Sequence, residues 1–321
     1  MATAVLTRPG CIEIREAPVP EPGPRQVRVK IEGCGVCASN LSAWEGKPWF
    51  QYPFPAGAPG HEAWGRVDAV GKEVAGLVPG ARVGLLSEHA FAHYDLADTH
   101  SVVRLPESLD GEPFPVEPLG CVANIFRRSG INKGDTVAVL GIGFIGSLLT
   151  QLAALAQARV IAISRRPYSL TFATKFGADH IIALDEFDER REVLEAVKAI
   201  TGGALCDIVV EATGKQGSLD LAAELARERG RLVVAGYHQD GPRRVNMQLW
   251  NCRGLDVINA HEHSPQVRLE GMREAVAAVE HGLITPRPLY THRFPLERLG
   301  EAFQHCTERP DGFMKALVTM P

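Results

Sequence analysis

No apolar run in this 321-residue chain approaches the length of a membrane span, so a bilayer-crossing helix is not expected. The first ten residues, Met1-Ala-Thr-Ala-Val-Leu-Thr-Arg-Pro-Gly10, lack the hydrophobic core of a secretory signal. Neither sign of charge dominates. The 34 Lys and Arg against 38 Asp and Glu leave a formal net charge of -4, which argues against nucleic acid or an anionic membrane as a partner. Internal repeats, coiled-coil heptads and low-complexity tracts are absent, which excludes solenoid and linker-like architectures. Cysteine is sparse, odd in number at seven, and scattered. That pattern suits a reducing compartment, with cysteines as core fillers or metal ligands rather than disulfides. A cytoplasmic protein is therefore expected. What is present, 45% hydrophobic and 22% charged residues, matches a globular composition. The length favours two domains over one core.

One stretch organises the rest. Thr136-Val-Ala-Val-Leu-Gly141-Ile-Gly143-Phe144-Ile145-Gly146 is an apolar run ending in three glycines at G-x-G-x-x-G spacing. A helical pattern follows over 147–156, and a second apolar run, Arg159-Val-Ile-Ala-Ile-Ser164, completes a strand–helix–strand unit. In a dinucleotide site the first glycine permits a tight turn, the second lets the backbone approach a pyrophosphate, and the third lets helix and strand pack closely. Further strands are predicted at 180–184, 206–213, 230–236 and 255–260. Helices are predicted near 188–200 and 218–227. Six strands with intervening helices read as a doubly wound parallel sheet, a Rossmann dinucleotide-binding domain over 123–262. Residues 1 to about 120 read mainly as β, with Val27, Val29 and Ile31 alternating against Arg28 and Lys30. The expected arrangement is a discontinuous first domain, 1–122 and 263–321, with the Rossmann domain inserted.

The second strand of that unit ends in Ser164-Arg165-Arg166, where an NAD site carries an Asp or Glu for the ribose. A hydroxyl and guanidinium groups suit a 2′-phosphate, which a carboxylate would repel. NADP(H) is predicted over NAD(H), with Arg165 favoured if only one arginine faces the ribose. The alternative for both arginines is a solvated face.

Three places in the first domain offer metal-ligand chemistry: Gly33-Cys34-Gly-Val-Cys37-Ala-Ser39-Asn40, Pro59-Gly60-His61-Glu62 and Val116-Glu117-Pro-Leu-Gly120-Cys121. A catalytic zinc takes three N, S or O ligands and keeps one position open. Read singly, a Cys or His of this kind is more often a core residue than a metal ligand.

Together these stretches resemble the zinc-dependent medium-chain alcohol dehydrogenase family, in its polyol and threonine dehydrogenase branch. The resemblance rests on Gly60-His61-Glu62-x-x-Gly65, Gly71, Val74 and Gly80-Ala-Arg-Val83. It extends to Cys37 two residues before Ser39, to Glu117-Pro-Leu and to the glycine motif. It runs on to Thr291-His-Arg-Phe-Pro-Leu296 and Lys315-Ala-Leu-Val. It implies an α/β protein with a mainly-β GroES-like catalytic domain beside the Rossmann domain. It implies zinc ligands at Cys37, His61 and Glu117, with Glu62 beside the metal and able to exchange with its water, and Cys121 as a fallback. Ser39 would pass the substrate proton onward. Thr213, Gly214, Gly236 and Tyr237 would lie beside the cofactor with Gly141, Gly143, Phe144, Ile145 and Gly146.

Three departures from the family follow. Asn40 replaces the usual Asp behind the ligand histidine and is expected to accept a hydrogen bond from His61. Ser42 replaces a proton-relaying His of some members. The four-cysteine structural-zinc lobe is missing, so one catalytic zinc per chain is expected.

The implied reaction is reversible hydride transfer between a small alcohol (polyol, sugar or hydroxy-acid type) and NADP, giving a ketone or aldehyde, in a homodimer or homotetramer. Two readings stay open: a zinc-free quinone or enone reductase of the same superfamily, and a non-enzymatic NADPH-binding protein. Trp44, Trp49, Phe50, Trp250, His261 and His263 are open between pocket lining and packing.

Overall fold

The computed structural model describes residues 1–320, and the chain divides into two compact units. One comprises Met1–Gly120, Ser264–Gly282 and the stretch from Pro286 onward; the other comprises Cys121–His263 with Leu283–Thr285. Among the described residues no helix is long and apolar enough to cross a membrane.

In the first unit, β1 (Ala2–Arg8) and β2 (Cys11–Glu16) form an antiparallel pair. They lead into β3 (Gln26–Gly35), the short helix α1 (Leu41–Trp44), β4 (Glu62–Val70), β5 (Arg82–Leu85), β6 (Tyr94–Asp98) and β7 (Val102–Arg104). The alternation along β3 is realised: Val27, Val29 and Ile31 are buried while Lys30 is exposed. The helix α2 (Val116–Ser129) was not legible in the β-rich reading of this region. Pro118 falls in its first turn, where a missing N–H costs no helical hydrogen bond. Glu117 thereby gains a helical frame.

The second unit carries β8 (Thr136–Leu140), α3 (Phe144–Leu155), β9 (Arg159–Ser164), α4 (Pro167–Lys175), β10 (His180–Ala183) and α5 (Arg190–Thr201). It continues with β11 (Cys206–Glu211), α6 (Gln216–Leu225), β12 (Ala226–Val234), α7 (Met247–Arg253) and β13 (Asp256–Asn259). The strands form one parallel sheet in the order β10-β9-β8-β11-β12-β13. Its central strands are near-continuous apolar runs: Val137 through Leu140 and Val160 through Ile163 are all at most 1% exposed, as a sheet covered on both faces requires. The α6 helix stops at Leu225, two residues short of the expected end. Ala226 already pairs with Cys206, and Arg229 has φ +56° at the irregularity before the regular register resumes.

The chain then returns to the first unit through α8 (Pro265–Glu280), β14 (His292–Pro295), α9 (Leu299–Glu308) and β15 (Ala316–Thr319). Strand β15 pairs antiparallel with β3, giving the sheet order β14-β15-β3-β4-β5-β7, with β6 also on β3. The two ends of the sequence thus build one core, in which Val29, Ile31, Val83, Leu85 and Phe91 from the first part meet Phe303 and Val318 from the last. Each such side chain contributes about 1.5–3 kcal/mol when fully buried.

Candidate active site

In the first unit the chain leaves β3 through a turn of 3-10 helix over Ala38–Asn40, whose first N–H groups are met by Cys37: Ser39 N donates to its Sγ at 3.4 Å. His61 and Glu62 lie at the entry to β4, the neighbour of β3, where Gly35 pairs with Glu62. Sheet pairing therefore brings the two motifs together. The ligand atoms of Cys37, His61 and Glu62 all lie within 4.8 Å of one another.

The surroundings of this trio suit a cation. His61 Nδ1 faces the Pro59 carbonyl at 3.0 Å, so that nitrogen carries the proton and donates, leaving Nε2 as the available lone pair. Burial of the ring opposes a positive charge. The hydrogen bond to Cys37 and the charges of Cys37, Glu117 and Glu62 outweigh it and raise the His61 pKa to about 10. An imidazole drawn this strongly toward imidazolium marks a place where negative groups converge.

Glu62 is fully buried. Its Oε1 accepts a hydrogen bond from Lys315 Nζ at 2.6 Å. Its Oε2 lies 2.5 Å from the same nitrogen as an ion-pair contact but accepts no aligned hydrogen bond. Burial works against the Lys315 charge, yet Glu62 raises its pKa. The site leaves no room for a side chain at residue 35: a Cβ on Gly35 would meet Glu62 Oε2 at 1.8 Å. Lys315 stands in the sequence only as the start of the matching stretch Lys315-Ala-Leu-Val, with no role at the site expected of it. It precedes β15, 253 positions from its partner, and only the closing of the sheet by that strand brings the two together.

Glu117, in the first turn of α2, lies outside the trio. Its Oε1 accepts from Arg268 Nη2 at 3.0 Å, and its charge reaches His61. Ser39 Oγ is 3.5 Å from His61 Nε2 and donates to Asn40 Oδ1 at 3.3 Å. Asn40 does not take the expected bond from His61. Its Nδ2 donates at 3.0 Å to the Pro59 carbonyl, so Asn40 and His61 share that acceptor. Residue 40 thus has a donor's task here, which an Asp could not perform when ionised. Trp44 stacks on Phe303 with ring centroids 5.1 Å apart, a packing role; Trp49 is 53% exposed.

In the second unit the glycine motif has the shape its spacing implies. Gly141 has φ +95°, a region unfavourable to other residues. A Cβ at Gly146 would meet the Gly141 carbonyl oxygen at 1.9 Å. Gly143 is the N-cap of α3, with no side chain capping the helix and nothing within 4 Å of a Cβ placed there. The start of α3 carries no side-chain cap, and the helix dipole there favours an anion. Phe144 and Ile145 form the first turn, Phe144 buried and Ile145 half-buried.

At the end of β9, Ser164 Oγ is 2.9 Å from Ser169 Oγ and accepts from Arg166 N at 3.2 Å. Arg165 is exposed and has no ion-pair partner among the described residues, while Arg166 is the N-cap of α4. Thr213 and Gly214 follow β11, and Gly236 and Tyr237 follow β12. Both pairs lie at the C-terminal ends of parallel strands, where doubly wound sheets bind ligands.

Two family models match the chain: "Zinc-binding dehydrogenase" over residues 145–277 and "Alcohol dehydrogenase GroES-like domain" over residues 23–107. A sorbitol dehydrogenase of Halalkalibacterium halodurans is 26% identical over 345 residues, covering 97% of this chain and 96% of that protein. The sorbitol dehydrogenase of Gallus gallus is 29% identical, covering 96% and 93%. A protein of Sinorhizobium meliloti 1021, assigned to the zinc-binding dehydrogenases and solved with NADP bound, superposes with a TM-score of 0.85 at 27% identity over 99% of each chain. The first unit has the GroES-like β fold and the second the six-stranded parallel Rossmann sheet.

Proposed function

We propose that this chain, which belongs to the zinc-binding medium-chain alcohol dehydrogenase family, reversibly oxidises a small alcohol of the polyol or sugar class to a ketone or aldehyde with NADP(H) as the redox partner. The single observation that carries the reading is the meeting of Cys37, His61 and Glu62, whose ligand atoms all lie within 4.8 Å of one another. A thiol, an imidazole and a carboxylate form a borderline-soft donor set suited to zinc. Cys37, His61 and Glu62 would hold the ion, and Glu117 would supply a second carboxylate. When bound, zinc supplies Lewis acidity toward an alcohol or carbonyl oxygen, and the nicotinamide accepts or returns the hydride.

The chain's own residues do the rest. Pro59 fixes the His61 tautomer through its carbonyl, and Asn40 holds that carbonyl from the other side. Lys315 compensates the buried charge of Glu62. Ser39, with its hydroxyl between His61 Nε2 and Asn40 Oδ1, is placed to take the proton of the substrate hydroxyl and pass it onward. Gly143 and the start of α3 receive the pyrophosphate.

The polyol assignment leans on the names of the sorbitol dehydrogenase relatives. The NADP assignment leans on the absence of a carboxylate at Ser164 and on the exposed Arg165, and is in keeping with the NADP-bound relative. Ser164→Asp is expected to weaken NADPH by about tenfold and to improve NADH, since an Asp would repel a 2′-phosphate and accept from a ribose hydroxyl. The start of α4 tolerates a carboxylate there. Paired fluorescence titrations with the two reduced cofactors measure it, and an unchanged preference would refute the 2′-phosphate reading.

The test of the whole reading is the zinc content of freshly purified protein. Close to one ion per chain supports it. A value near zero that added zinc does not restore sinks it in favour of a zinc-free reductase or a cofactor-binding protein.

A further inference from the structure

We propose that His238 and Arg243 are positioning residues that set cofactor affinity by locking two strand-end turns, Thr213–Gly214 and Gly236–Tyr237, onto one buried carboxylate, Glu211. This rests on the reading above that those turns face the cofactor.

Glu211 ends β11 and has no exposed surface. A buried carboxylate is costly unless its oxygens are met by donors. One oxygen, Oε1, accepts from the backbone N–H groups of Thr213 (2.8 Å) and Gly214 (3.0 Å) and from the Thr213 hydroxyl. The other, Oε2, lies 3.0 Å from His238 Nε2. The backbone carbonyl of the same residue accepts from Ala235 N (2.8 Å) and Gly236 N (2.7 Å). Both turns are therefore registered on a single residue.

The far side of the network fixes the histidine. Arg243 Nε, which can only donate, lies 2.7 Å from His238 Nδ1. Nδ1 is thus the acceptor, Nε2 carries the proton, and His238 donates to Glu211. Arg243 also donates through Nη2 to the Gly214 carbonyl at 2.9 Å and is ion-paired with Asp240. The Thr213–Gly214 turn is held by its N–H groups from Glu211 and by its carbonyl from Arg243.

The turns leave no slack for adjustment. Gly214 has φ +70°, and a Cβ there would meet the Tyr237 carbonyl oxygen at 2.6 Å. A Cβ on Gly236 would meet Gly214 N at 2.1 Å and Glu211 Oε2 at 2.7 Å. A displacement of either turn is passed directly to the other. Both clamped turns lie at the C-terminal ends of adjacent parallel strands, the ligand-binding end of such a sheet.

The experiment compares His238→Ala, His238→Gln and Gly143→Asp with the unmodified chain, titrating NADPH and NADH by fluorescence and recording the thermal midpoint and zinc content. His238→Ala is expected to raise the cofactor Kd about tenfold, as expected of a small misplacement of binding groups. Zinc content should stay unchanged. His238→Gln places an amide N–H near the position of Nε2 and is expected to restore Kd to within about threefold. Arg243→Met is read in the same way should His238→Ala not fold. Unchanged Kd in His238→Ala while Gly143→Asp is crippled overturns the positioning role alone. Unchanged Kd in both overturns it together with the cofactor seat. A glutamine variant as weak as the alanine variant overturns the donor role assigned to His238.

Discussion

Replacing Cys37 with alanine is expected to give a folded chain that binds NADPH normally, retains no zinc and turns over at least about a hundredfold more slowly. Even outer partners of metal ligands change affinity or activity by roughly 10–100-fold, and a direct ligand should exceed that. The fold should survive because Cys37 is only half-buried and its side chain accepts only a long, 3.4 Å hydrogen bond from backbone, that of Ser39 N. Metal analysis, cofactor titration and a melting curve on the same preparation separate these effects. Loss of cofactor binding with zinc retained would mean that the two sites have been misassigned.

The second large effect concerns the glycine motif, where two neighbouring glycines should fail in opposite ways. Gly143→Asp is expected to leave the melting temperature unchanged or slightly higher while weakening NADPH about a hundredfold. Position 143 has extended backbone at φ -89° and ψ -161°, a Cβ there meets nothing, and Asp is among the best residues at a helix N-cap. The same carboxylate would cap the N–H groups otherwise left for phosphate and add a repelling charge. Loss of charge-assisted hydrogen bonds worth about 1.5–3 kcal/mol each accounts for the size. Gly146→Ala should instead destabilise the fold by about 1–3 kcal/mol, because its methyl group would be driven onto the Gly141 carbonyl oxygen, a backbone atom that cannot swing aside. Melting curves and NADPH titrations on both variants measure the contrast. Equal binding by Gly143→Asp and the unmodified chain would place the pyrophosphate elsewhere.

These contrasts also explain how far the sequence could be read. Periodicity and glycine spacing are local, and the parallel sheet around Gly141, Gly143 and Gly146 follows from them. The alternation of β3 and the motif at Gly60-His61-Glu62 were equally local. Helix α2 was hidden because Pro118 reads as a break unless its place in the first turn is known. The Lys315–Glu62 pair was hidden because no short-range pattern links residues 253 positions apart. Asn40 was misread for a subtler reason. Its hydrogen-bond partner depends on which carbonyl the His61 ring faces, and that is set by the turn at Pro59. The His238–Arg243 clamp depended likewise on two loops meeting at the end of a sheet.

The distance along the chain between Glu62 and Lys315 also sets an order of events during synthesis. At about 5–20 residues per second, roughly 10–50 s separate the emergence of the two residues from the ribosome. Within that interval nearly the whole second unit is made as one continuous stretch and can fold as a domain, while the first unit still lacks α8, α9, β14 and β15. Glu62 therefore spends this time without the lysine that later neutralises it. The pair can form only when β15 docks on β3, so locking the Glu62 carboxylate is a late step in the birth of the first unit.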